Sequence, residues 1–203
     1  MQPEEVEPAA NEKAKEAKRE MKKMPAEVLK KLGFESAEQL EGATLGSPHK
    51  VYIVNLSDIK AFKSGGDPKK IMGKTKEILY PILENGNVTS AIGFRKEKGD
   101  WIPTTLGASS EVKVAAPVRD KHGKSKGKGH SNYFVARVPA MYLSFLGYWD
   151  KNDIFFIPIA TNPDFPELNP GREIPAAEAF LALQAKAEKY EGLLKDRPPE
   201  EAR

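Results

Sequence analysis

Residues 133–161 read YFVARVPAMYLSFLGYWDKNDIFFIPIAT. This is the longest aliphatic and aromatic run in the chain, interrupted only at Arg137, at Ser144 and at the cluster Asp150-Lys151-Asn152-Asp153. Asp and Asn bond their own backbone and tolerate unusual dihedrals, so the cluster reads as a tight turn. Leu143–Trp149 before it and Ile154–Ala160 after it are rich in residues that suit a pleated sheet. The stretch therefore predicts a β-hairpin, buried on both faces over part of its length.

Upstream, Ile78–Leu83, Val88–Arg95 and Trp101–Leu106 predict three more strands. Asn85-Gly86, the strongest short hairpin signal, joins the first two, and Lys98-Gly99-Asp100 joins the second to the third. Pro81 and Pro103 fall inside these runs and cannot donate to a ladder, so each marks an edge, a strand end or a bulge. Val51–Val54, after Gly46-Ser47-Pro48, predicts a further strand.

Helical signals lie mostly at the two ends. Ala9–Lys23 consists of strong helix formers, with a thin apolar stripe of Ala14, Ala17, Met21, Met24 and Val28. Pro25 restarts the chain into Ala26–Leu32, which Gly33 stops. Ser36 and Gln39 form a capping-box pattern for a short helix ending near Gly42. Ser57 opens one helical turn through Phe62, and Asp67-Pro68 opens a helix toward Lys76. Ser109 or Ser110 caps a helix ending at Pro117. Arg119–His130, RDKHGKSKGKGH, reads as a low-complexity Gly/Lys loop. After an irregular connection over 162–175, Pro175 opens a last helix with Phe180, Leu183, Ala187, Tyr190 and Leu194 on one face.

The expected fold is α+β: an antiparallel sheet made of a meander plus a hairpin, helices packed on one face, and an N-terminal helical arm. The expected organisation is a charged arm over 1–31 with residues 1–8 disordered, one domain over 32–196, and a disordered tail over 197–203.

Composition narrows the chemistry. The chain has 203 residues, enough to bury a core without staples. Its net charge is +3, which gives no whole-molecule field for nucleic acid. It contains no cysteine, which excludes disulfides, thiolate catalysis and iron–sulfur or zinc-thiolate sites. No apolar run approaches the roughly 20 residues that cross a bilayer. The first residues, charged and proline-containing, do not read as a signal peptide. They suit either a cytosolic terminus or an exported protein whose leader has been removed.

Gly73-Lys74-Thr75 and Gly123-Lys124-Ser125 suggest a phosphate loop, but Pro68 and Val118 stand where its first glycine belongs. His122 and His130 sit in the Gly/Lys stretch, where nothing in the sequence fixes a tautomer, and His49 follows Pro48 at a strand entry. A nucleophile–base–acid set is not foreseen. Neither a metal site nor a cofactor is expected. Arg119, Lys121, Lys124, Lys126 and Lys128 are opposed only by Asp120 and suit contact with an anionic surface, a membrane surface included, at about 1 kcal/mol per charge. Trp101, Tyr148 and Trp149, joined by Arg137 inside an apolar strand, are the ligand-binding candidates.

One likeness adds to this. YPILENGNVTSAIGF at 80–94 with GDWIPTTLG at 99–107, and LGFESAEQLEGATLGSP at 32–48 leading into VYIV, resemble the central sheet of uncharacterised exported bacterial proteins. The resemblance implies a periplasmic or otherwise extracytoplasmic setting and no activity. The leading expectation is a non-catalytic module binding a protein or a small molecule. Its rivals are a hydrolase using carboxylates among Asp58, Asp67, Asp150 and Asp153, and an accessory protein held on an anionic surface through 119–130.

Overall fold

The computed structural model describes residues 6–107 and 110–195, without the side chains of 74–76 and 194–195. In chain order the elements are α1 (Pro8–Met21), α2 (Ala26–Lys31), α3 (Ala37–Gly42), β1 (Thr44–Leu45), β2 (His49–Ile53), α4 (Leu56–Ala61), β3 (Gly73–Glu84), β4 (Asn87–Glu97), β5 (Asp100–Gly107), α5 (Ser110–Lys126), β6 (Tyr133–Val138), β7 (Leu143–Asp150), β8 (Asp153–Pro158), β9 (Ile174–Pro175), α6 (Ala176–Gln184) and α7 (Ala187–Lys195). The architecture is α+β, with an antiparallel meander, an antiparallel hairpin, and an N-terminal helix. The chain forms two compact units, Met1–Val51 with Thr75–Phe134, and Tyr52–Lys74 with Val135–Arg203.

In the first unit, β3, β4 and β5 form the meander. Both of its turns have two left-handed central residues, Asn85 (φ 49°) with Gly86 (81°) and Lys98 (50°) with Gly99 (103°). That geometry matches the twist of the strands it joins. The two prolines sit beside irregularities, as expected. Opposite Pro103 on β5 the register slips between Gly93 and Phe94 of β4, and next to Pro81 it slips between Ile82 and Leu83 of β3. β1 pairs with the end of β3.

α1 begins at Pro8, in the first helical position, and lays its stripe on the meander. Ala10, Ala14 and Met21 are fully buried with Tyr80, Phe94 and Trp101, and Ala17 and Met24 pack alongside. Lys18 donates to the carbonyls of Glu41 (3.2 Å) and Ala43, satisfying the last carbonyls of α3. Ser36 caps α3 by accepting from the Gln39 amide at 3.2 Å, and Glu35 donates its amide to the Gln39 side chain.

Three expectations need correction. The Gly/Lys stretch is not a loop: α5 runs through Pro117 to Lys126. A helix-interior proline costs about 3 kcal/mol, yet Val112, Ala115, Ala116, Arg119 and Gly123 keep helical spacing across it and are buried. Gly123 marks close packing, since a Cβ there would lie 2.9 Å from the Lys128 carbonyl oxygen. Asp67-Pro68 opens only the 3-10 turn Pro68–Lys70, and β3 begins at Gly73. The last helix is two, broken at Ala185-Lys186. Ser109, the tail over 197–203 and residues 1–5 lie outside the described residues, as does the Leu194 side chain.

In the second unit, β7 and β8 are the expected hairpin, with Asp150 opposite Asp153 and Lys151 left-handed at φ 54°. β9 adds to β8. Phe156 stacks on Phe145 at 5.0 Å and meets Phe180 of α6 edge-on at 5.4 Å, and Phe180 meets Phe62 at 5.5 Å. Gln184 donates to the carbonyls of Lys60 (2.9 Å) and Phe62 (2.7 Å), closing the open end of α4. Tyr190 of α7 donates to Asp164 at 2.6 Å, which pins the 162–175 connection. Burial and this carboxylate push the Tyr190 phenol up to about 12.

Phe180 touches both aromatic neighbours, so Phe180→Ala should lower stability by about 3–5 kcal/mol in a urea titration; a loss below about 1 kcal/mol would contradict this packing.

Candidate functional site

Among the hollows of the first unit, one is floored almost wholly by apolar side chains. Ala17 and Met24 at the α1 side face Trp101, Pro103 and Leu106 of β5 across about 310 Å³, with Phe94 beneath and Lys13, Glu16 and Glu20 at the rim. The register slip beside Pro103 explains how β5 supplies all three of its residues. In a regular strand, side chains alternate faces, so positions 101 and 103 would exclude 106. One extra residue, Thr104, restores Leu106 to the same side.

Trp101 is 7% exposed and its indole N–H donates to Glu7 at 3.2 Å. Glu7 also accepts from Lys96 at 2.5 Å, and these hydrogen bonds hold its carboxyl below the usual range. Lys96 lies 5.7 Å over the indole ring. Tyr80 donates to Asn11 at 2.7 Å, and burial raises its phenol. The N-terminal part of α1 is thus tied to the sheet by polar contacts at both Trp101 and Tyr80. The rim is self-paired where Lys13 meets Glu16 at 2.7 Å. β5 forms the end of the sheet order and pairs with β4 alone among the described strands. Ile102 and Leu106 stay 42% and 39% exposed.

The other ligand-binding candidates belong to the second unit. Tyr148 is buried and stacks on Phe155 at 5.4 Å. Trp149 is buried opposite Ile154. Arg137 is half-buried on β6, where its carbonyl accepts from the Val54 amide at 2.8 Å. None of the three lines the hollows that Trp101, Asp67 or Asp120 line. Of the carboxylates, Asp67 and Asp153 share a hollow of about 450 Å³, whereas Asp58 accepts from Asn55 at 3.0 Å.

The basic stretch divides. Arg119 is 3% exposed, which removes it from any surface contact. It donates to the Ser47 carbonyl at 2.9 Å and to Asp120 at 3.2 Å. Lys121, Lys124 and Lys126 are exposed near the C-terminal end of α5, where cations suit the helix dipole, and Lys128 follows half-buried.

The histidines depart from expectation, because two are fixed. The Nδ1 of His122 lies 2.8 Å from the Tyr133 hydroxyl. His130 lies between Ser47, 2.9 Å from its Nδ1, and Asp120, 3.2 Å from its Nε2. Ser47 carries no sequence signal of this role, since it lies 83 positions before His130. Gly123-Lys124-Ser125 lies within α5, which excludes a phosphate loop there. The side chains of Lys74 and Thr75 are outside the described residues. Among the described residues, no group of three His, Asp or Glu side chains is placed to hold a metal, and no helix is long and apolar enough to cross a membrane.

No protein-family model, curated protein or solved structure matches the chain.

His49 is fully buried, and neither ring nitrogen has a hydrogen-bond partner among the described residues. Burial, then the nearby charge of Arg119 and that of His130 once protonated, hold it well below its ordinary value of 6.5. The unfolded chain takes up a proton there that the folded chain refuses. Stability should therefore fall as pH drops below 6.5, by up to about 1.4 kcal/mol per pH unit. His49→Leu should flatten that decline in melts taken between about pH 7 and pH 5; equal slopes for both proteins would refute it.

Proposed function

We propose that the protein is a binding module whose groove beside β5 takes an extended polypeptide segment carrying a bulky apolar side chain. The observation that carries this reading is six apolar side chains converging on an open hollow of about 310 Å³ beside a strand that ends its sheet. A hollow of that size holds one or two side chains and lies at the small end of ligand sites. The neighbouring edge favours a peptide over a compact small molecule, because an added strand bonds to the outer backbone of β5 while its side chain enters the groove. Pro103 and the register slip shorten the regular part of that edge, which limits indiscriminate pairing. An extracytoplasmic setting is part of the proposal and rests on the likeness of 32–54 and 80–107 to exported bacterial proteins.

The test uses a fluorescein-labelled decapeptide alternating Thr and Val around a central Phe, followed by anisotropy. Burying a phenyl ring contributes about 1.5–3 kcal/mol, so Leu106→Glu should weaken binding by at least about tenfold. Val114→Glu, at an exposed position of α5, should leave it unchanged. No binding by the wild type, or equal binding by Leu106→Glu, would overturn the proposal. Uptake of anilinonaphthalene sulfonate in the groove without any peptide binding would replace it with a small-ligand site.

A further inference from the structure

Ser47, His130 and Asp120 come from three separate segments: the Gly46-Ser47-Pro48 link, the 3-10 turn His130–Asn132, and α5. The hydrogen-bond directions follow from their chemistry. A carboxylate only accepts, so at 3.2 Å from Asp120 the Nε2 of a neutral imidazole carries the proton. Its Nδ1 then presents a lone pair, and the Ser47 hydroxyl, 2.9 Å away, donates to it. Burial and the charge of Arg119 hold His130 below its ordinary value, which favours the neutral ring, although Asp120 opposes that shift.

Three hydrogen bonds brace the arrangement. Arg119, itself buried, donates to the Ser47 carbonyl and to the same Asp120 oxygen, which fixes both the backbone of the hydroxyl and the carboxylate. The Asn132 amide donates to the Gly129 carbonyl at 3.1 Å, which closes the turn carrying His130. A hollow of about 500 Å³ opens beside the imidazole, lined by Asp120, Lys124, Lys128, His130 and three glycines.

We propose that Ser47 is a base-activated nucleophile, with His130 as its general base and Asp120 orienting the ring, acting on esters whose acyl part is anionic. Ser47 Oγ forms a bond to the ester carbonyl carbon while its proton passes to His130 Nδ1. The carbonyl–alkoxy bond breaks, and the departing alkoxide takes that proton, leaving an alcohol and acyl-Ser47. Water, deprotonated by the same nitrogen, then releases the acid and restores the hydroxyl. Lys124 and Lys128 supply the positive field that selects a negatively charged acyl group. This goes beyond the groove at β5 and shares no residue with it.

The probe is a fluorophosphonate, whose phosphorus the hydroxyl attacks with loss of fluoride. Intact-protein and peptide mass spectrometry should find one adduct, at Ser47, in the wild type and none in Ser47→Ala. Removing a general base typically lowers a rate by about 10²–10⁴, so His130→Gln should label at least about a hundredfold more slowly with an unchanged melting temperature. On the wild type alone, labelling should rise with pH through an inflection below 6.5, because burial and then Arg119 favour loss of the imidazole proton and only Asp120 opposes it. Hydrolysis of 4-nitrophenyl succinate should exceed that of the acetate ester, and Lys124→Ala should narrow the difference. Labelling spread over many hydroxyls, an unchanged rate in His130→Gln, or a rate rising only at alkaline pH would each overturn the proposal.

Discussion

The seating of α1 on the meander is the contact on which most of the first unit depends. The helix is largely charged, and its apolar stripe is narrow. Alone it would be marginal in water, since helices of this length gain most of their stability from tertiary packing. Two things hold it. Ala10, Ala14 and Met21 are small or pliable enough to approach the sheet closely and are fully buried there. Glu7 and Asn11 then bond the indole of Trp101 and the phenol of Tyr80, large side chains that carry polar tips into the same layer. The groove exists because this helix forms one wall and β5 the other. The same seating makes Trp101 a structural post as much as a lining residue.

A second constraint works at α5. The buried Arg119 holds the Ser47 link against the helix, and close packing at Gly123 lets the chain at Lys128 and Tyr133 fold back against it. A guanidinium that is almost wholly buried must be paired, and it finds a backbone carbonyl and a carboxylate. The serine–histidine–aspartate set is assembled around that pairing. Replacing Arg119 would therefore disturb the fold and the cluster together, which makes it a positioning residue and no surface charge.

Where the sequence was legible, local chemistry decided the structure. Asn85-Gly86 and Asp150–Asp153 specify turns by dihedral preference, Ser36 and Gln39 specify a cap, and the prolines announce irregular register; none of these needs a distant partner. The misreadings share the opposite cause. Residues 119–130 look flexible because glycine and lysine dominate, but Gly123 is there for close approach and Arg119 for pairing with a segment 72 positions away. The stripe of Val112, Ala115, Ala116, Arg119 and Gly123 is the signal of the helix, and Pro117 masks it because an interior proline ordinarily ends a helix. Trp101 is conspicuous in the sequence as a tryptophan at a strand start. The rest of the groove, Ala17, Met24 and Leu106, carries no mark of its own and becomes a site only through helix docking. Tyr148 and Trp149 are as conspicuous in the sequence as Trp101, and both are buried in the β7–β8 hairpin.

Native-state hydrogen exchange of the α1 amides tests most directly whether this helix is a wall or an arm. Docked as described, Glu12 to Met21 should be protected to a degree comparable with β4, exchanging only through an opening that also exposes the meander. Exchange of those amides at the rate of an isolated helix, while β4 stays protected, would show that the helix does not rest on the sheet and that the groove has only one side.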